Sequence, residues 1–110
     1  MALDLARMMA RKQERECARL DEFDFRQRAR AVRLLAEWVR GEAAEPGPID
    51  PVDLASQVAR RSFESLAAEL RAHVPAVAER TWQRRVQHCF DEARRTLIAE
   101  HGDPTPHRLA

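Results

Sequence analysis

Apolar residues recur at steps of three and four along most of the chain, and runs of alternating Val, Ile and Thr are absent. That period belongs to amphipathic helices rather than strands. Ala, Leu, Arg and Glu, all good helix formers, dominate. The pattern predicts four helices, near residues 2–19, 24–43, 51–73 and 76–101, and so an all-α fold: a compact bundle with a projecting N-terminal helix. In the fourth, Trp82, Val86, Cys89, Phe90, Ala93 and Leu97 form one stripe, with Arg80, Arg84, His88, Asp91 and Arg95 opposite. The third aligns Val52, Ala55, Ala59, Phe63, Leu66, Leu70 and Val74. The second aligns Phe25, Ala29, Val32, Leu35, Ala36 and Val39, with Trp38 at the margin. The first differs. Leu5, Met8 and Met9 begin a stripe, but Arg11 to Glu16 is polar on every side, the mark of a helix that projects into solvent or packs on another chain.

The boundaries follow from local chemistry. Only Asp21-Glu22-Phe23-Asp24 separates the first two helices, which leaves one continuous long helix as the alternative; Asp24 with Gln27 resembles a capping box, which favours a break or bend. Residues 45–50 form a Pro/Gly linker. Asp50 as N-cap, Pro51 at the first helical position and Asp53 in the first turn start the next helix. Pro75 ends or kinks the third segment. Gly102 suits the end of the fourth, before a tail at 102–110.

A chain of 110 residues is one domain by size. Bulky apolar side chains are modest in number, so self-association through the first helix would supply burial the core lacks. This predicts a homodimer with Leu5, Met8 and Met9 at the contact. No stretch reaches the roughly 20 apolar residues of a membrane span. Arg7, Arg11 and Lys12 interrupt any signal-peptide apolar run. Two Cys, Cys17 and Cys89, are too few for a disulfide framework, and the expected location is the reducing cytoplasm.

Charge narrows the partners. The net charge is +1, and 18 of the 19 cations are Arg. No segment has a strong basic excess. GC-rich codon usage accounts for abundant Arg and Ala, yet Arg also suits bidentate pairing with carboxylate or phosphate. On the second helix Arg26, Arg30, Arg33 and Arg40 share the face opposite the apolar stripe, with Glu37 among them. Arg26, Arg30 and Arg33 are the expected contacts for a protein partner with an acidic surface.

Catalytic chemistry finds little purchase. Glu69 with His73, and His88 with Glu92, place two metal-ligand types four apart, but the Glu-x-x-His pattern of di-iron bundles is missing. Solvated surface pairs are the plainer reading. Cys89 falls in a core stripe, where a thiol behaves as a small inert hydrophobe. Cys17, between Arg15 and Arg19, is the more reactive candidate, with no base assigned to it. No phosphate loop, nucleophile elbow or Ser/His/Asp pattern occurs. The chain is expected to be a non-enzyme without catalytic residue, metal or cofactor.

One segment suggests a second role. Glu79-Arg80-Thr81-Trp82-Gln83-Arg84-Arg85-Val86, preceded by Leu66-Ala67-Ala68-Glu69-Leu70, resembles the helix-turn-helix of AraC-type regulators. The similarity spans residues 66–87, although Arg71 to Glu79 is longer than the compact turn and lacks its usual glycine. It implies that Arg80, Gln83 and Arg84 face DNA. The expected role is thus a small regulatory or adaptor protein working through helix faces, with a DNA-binding transcriptional regulator as the alternative.

Overall fold

The structure, a computed structural model, describes residues 2–44 and 47–103, and within these the side chains of all but residues 2–5 and 12–19. Four α-helices follow one another: α1 (Ala2–Glu42), α2 (Pro51–Ser56), α3 (Phe63–Arg71) and α4 (Glu79–His101), with a 3₁₀ turn at Gln57–Ala59 after α2. No strand occurs among the described residues. The fold is all-α, as the periodicity predicts.

The expected break near Asp21–Asp24 does not occur. Nothing in that stretch prevents helix, and its charges pair within it: Arg26 meets Glu22 at 2.7 Å and Arg28 meets Asp24 at 3.2 Å. Gln27, the other half of the presumed capping box, turns elsewhere and donates through Nε2 to the Phe90 carbonyl of α4 at 3.2 Å. The two expected helices are therefore one helix of 41 residues. At 1.5 Å per residue it spans about 61 Å, close to the 66 Å long axis of the molecule.

The third expected helix is divided instead. Asp50 caps α2 as predicted, accepting from the amides of Val52 at 3.0 Å and Asp53 at 3.3 Å. The helix then tightens and stops, and Ser62, in extended conformation, caps α3 by accepting from the Ser65 amide at 3.1 Å. The stripe drawn from Val52 to Val74 is thereby broken: Val52 is 62% exposed, Ala59 is exposed too, and Leu54 and Val58 are buried in their place. Pro75 lies in a loop over residues 72–78 rather than at a kink, and α4 begins at Glu79 instead of residue 76. Arg71 holds this loop, its guanidinium donating to the carbonyls of Val74 and Val77 while lying 5.5 Å from the Trp82 ring centre. Gly102 ends α4 as expected, at φ +82°, where its missing Cβ avoids strain.

The C-terminal half of α1 is the spine. Ala31, Val32, Leu35, Ala36 and Val39 are fully buried, and α4, α2 and α3 pack around them. Burying each Val or Leu there is worth about 1.5–3 kcal/mol. α4 packs across α1, with Arg94 over Phe23, Phe90 beside Gln27, and Trp82 against Trp38 at 6.3 Å. The predicted α4 stripe is the packed one: Trp82, Cys89, Ala93 and Leu97 are buried, with Val86 and Phe90 half-buried against the core. Of the second stripe, Phe25 is the exception, exposed at the edge.

Candidate functional site

The arginine face predicted on α1 forms one side of a shallow groove of about 360 Å³. Helical spacing brings Arg26, Arg30 and Arg33 to it. Phe25 and Ala29 from α1 and Leu97 from α4 give it an apolar floor, and His101 closes one end. Each arginine is already paired. Arg26 reaches Glu22 at 2.7 Å and Arg33 reaches Glu37 at 3.3 Å, both one turn away. Arg30 makes a two-pronged contact with Glu100 of α4, at 3.0 and 3.2 Å. Its hydrogen bond holds the Glu100 carboxyl below the ordinary glutamate pKa. Arg40, the fourth member of the row, lies in the last turn of α1 and is not part of the groove. Exposed pairs of this kind contribute little, so an incoming carboxylate can replace one at small cost.

The second arginine surface, on α4, is arranged differently. Arg80, Gln83 and Arg84 are all exposed on the side away from α1. Gln83 donates to Glu79 at 3.3 Å. Arg80 and Arg84 have no ion pair among the described residues. Arg84 lines a shallow depression with Thr81, Arg85 and His88, and Arg85 is drawn inward over the Trp38 ring at 5.1 Å. The helix-turn-helix resemblance meets a geometric difference here, because the Arg71-held loop of residues 72–78 replaces the compact turn.

The metal-ligand pairs separate. Glu69 turns to Arg61 at 2.7 Å rather than to His73, while His88 and Glu92 meet at 3.0 Å on the exposed surface. No group of three His, Cys, Asp or Glu side chains suited to a metal ion occurs among the described residues. Burial pushes the Cys89 thiol up to about 11, outweighing the opposing pull of Arg85, which leaves it protonated and inert near neutrality. The side chains of Leu5 and Cys17 lie outside the described residues. Met8 and Met9 stand at 68% and 61% exposure.

One surface escaped the sequence reading. α3 and α4 enclose a groove of about 530 Å³ whose apolar wall is Phe63, Ala67, Trp82, Val86 and Phe90, with Glu64 and Glu79 among its polar lining. Phe63 and Phe90 meet edge-on with ring centres 4.4 Å apart. In sequence Phe63 and Phe90 each read as members of their own core stripes. That the two rings adjoin is not legible while residues 51–73 read as one helix. No protein family, curated protein or solved structure matches the chain. Among the described residues no helix is long and apolar enough to cross a membrane.

Proposed function

We propose that the protein is a small non-enzymatic regulatory or adaptor protein of the cytoplasm, acting as a homodimer and capturing an acidic partner protein on the α1 face. The observation that supports this reading is the convergence of Arg26, Arg30 and Arg33 around one apolar floor. An acidic helix or strand with an apolar ridge matches that arrangement. Its carboxylates replace Glu22, Glu37 and Glu100, and its ridge covers Phe25 and Leu97. Charge exchange at the rim gives selectivity and apolar contact gives affinity. The test is capture from nuclease-treated host lysate, followed by binding of the purified partner. Arg30→Glu with Arg33→Glu should abolish that binding and leave the helical circular-dichroism signal intact. Unchanged binding by the double variant overturns the reading.

A second reading has its own support. Arg80 and Arg84 point outward and lack carboxylate partners among the described residues, as phosphate-contacting side chains do. Under this reading, Arg80, Gln83 and Arg84 contact DNA. Arg80→Ala with Arg84→Ala should weaken a gel-shift complex and flatten its salt slope by about two. The near-neutral net charge ranks this second, since it gives little long-range attraction to nucleic acid.

A further inference from the structure

Two surfaces on this molecule complement one another without being able to meet in the same chain. One is the tip of α1, where Met8 and Met9 stand exposed between Arg7 and Arg11. The other is the aromatic groove between α3 and α4. We propose that the tip of α1 seats in the α3/α4 groove of a second copy, and reciprocally, so that each chain fills the other's groove. This rests on the homodimer in the reading above and names the surface that receives the tip.

Pairing of tip with tip is the obvious competitor, and the sequence argues against it. Leu5, Met8 and Met9 are followed by Arg11 to Glu16, polar on every side, so two such helices share no continuous apolar seam. A concave apolar receptor suits them better. Methionine is unbranched and polarizable, fills irregular gaps, and makes favourable contacts with ring edges. The groove presents three rings, Phe63, Trp82 and Phe90.

Charge points the same way. Glu64 lines the groove, is exposed, and has no ion pair among the described residues. The groove's own arginine, Arg71, is committed to the Val74 and Val77 carbonyls and to Glu79 at 3.6 Å. The groove rim is therefore acidic toward an incomer, and Arg7 and Arg11 flank the methionines that would enter it.

The lengths agree as well. Met8 lies fifteen residues before Phe23, which sits under Arg94 of α4, so the tip stands about 22 Å along the helix from that contact. The groove flanks the part of α4 that packs on Gln27 to Trp38. The middle of that stretch lies about 14 Å along the helix from the same contact, in the opposite direction.

The test uses the full chain in a Cys17→Ser background, with Met9→Cys on one preparation and Gln87→Cys, on the groove wall, on another. Both positions are exposed, so folding is preserved, and Cys89 is buried from reagent. The mixed preparations are treated with a short bis-maleimide, and light scattering reports the mass of the unmodified chain. The expected result is a species of twice 12.7 kDa and a cross-link joining Met9→Cys to Gln87→Cys. Met9→Glu should abolish the dimer. A dimer whose cross-links join only Met9→Cys chains, or that yields none, overturns docking in the groove and leaves the homodimer standing. A monomer at micromolar concentration overturns both.

Discussion

The two halves of α1 are one continuous helix built from similar residue types, yet they stand in opposite relations to solvent. From Ala31 to Val39 the helix buries five side chains completely, whereas at residues 6–11 and 20–22 every side chain is exposed. Helix propensity does not separate them, since both halves are rich in Ala, Leu, Arg and Glu. Periodicity does. The buried half repeats its apolar positions over more than two turns, wide enough to receive helices on several sides. The bare half has an apolar patch at its tip, interrupted before a second turn can extend it. A helix of uniform composition thus becomes spine or arm according to how long its stripe persists.

The largest test of this contrast uses proline. Leu34→Pro removes a backbone hydrogen bond inside the spine and wedges its ring against the preceding turn, and should leave the chain unfolded. Ala10→Pro makes the same change in the arm and should leave the urea midpoint of the bundle unmoved at protein concentrations too low for the dimer to form. A comparable loss from both would mean that the arm is part of the core.

Side-chain truncation gives the next largest effect. Leu35→Ala and Leu66→Ala, both fully buried, should each cost about 2–5 kcal/mol in chemical denaturation. Phe90→Ala, packed edge-on against Phe63, should fall at the lower end of that range. Arg80→Ala should stay within about 0.5 kcal/mol, as exposed positions do. If Arg80→Ala matched Phe90→Ala, the facing of α4 would be wrong.

A smaller effect belongs to the cap that divides the middle of the chain. Ser62→Ala removes the acceptor for the Ser65 amide and should cost about 0.5–2 kcal/mol. Thermal melts of Ser62→Ala and Ser56→Ala distinguish the two serines, because Ser56 provides no side-chain cap.

The smallest effect is electrostatic. Glu100 is held below its ordinary pKa chiefly by the hydrogen bond from Arg30. Its stabilising share is present above the unfolded carboxyl's pKa and is lost as pH falls through the lowered folded value. A carboxyl titration by NMR should show Glu100 returning toward the ordinary range in Arg30→Ala, with little change in the melting midpoint.

Much of the fold was legible because long stripes constrain a helix strongly. The facing of α4 could be read from Trp82, Val86, Cys89, Ala93 and Leu97, each a repeated vote for the same side. The middle of the chain could not. Val52, Ala55, Ala59 and Phe63 fall at helical intervals, yet the chain tightens into a 3₁₀ turn at Gln57–Ala59 and restarts with Ser62 as cap. Asp24 and Gln27 misled in the opposite direction: they have the spacing of a cap, but their side chains found Arg28 and the Phe90 carbonyl. The arginine face of α1 was visible in sequence as far as spacing could show it. Its pairing with Glu100 was not, because that contact crosses 70 positions and depends on how α4 lies on α1. The α3/α4 groove was hidden for the same reason.

The unbroken passage of α1 through Asp21–Asp24 makes the arm a rigid lever whose rotational phase is keyed to the bundle. Each residue turns the helix by about 100°, so the direction in which Met8 and Met9 point is set by the count of residues between them and the spine. One residue inserted near Asp21 would swing the tip about a quarter-turn round the axis while lengthening the arm by only about 1.5 Å. Seven inserted residues would nearly restore the phase and extend the reach by about 10 Å. Spacing along this stretch therefore encodes direction and distance separately, and a change in the number of residues there would alter what the tip meets even if every side chain at the tip were kept.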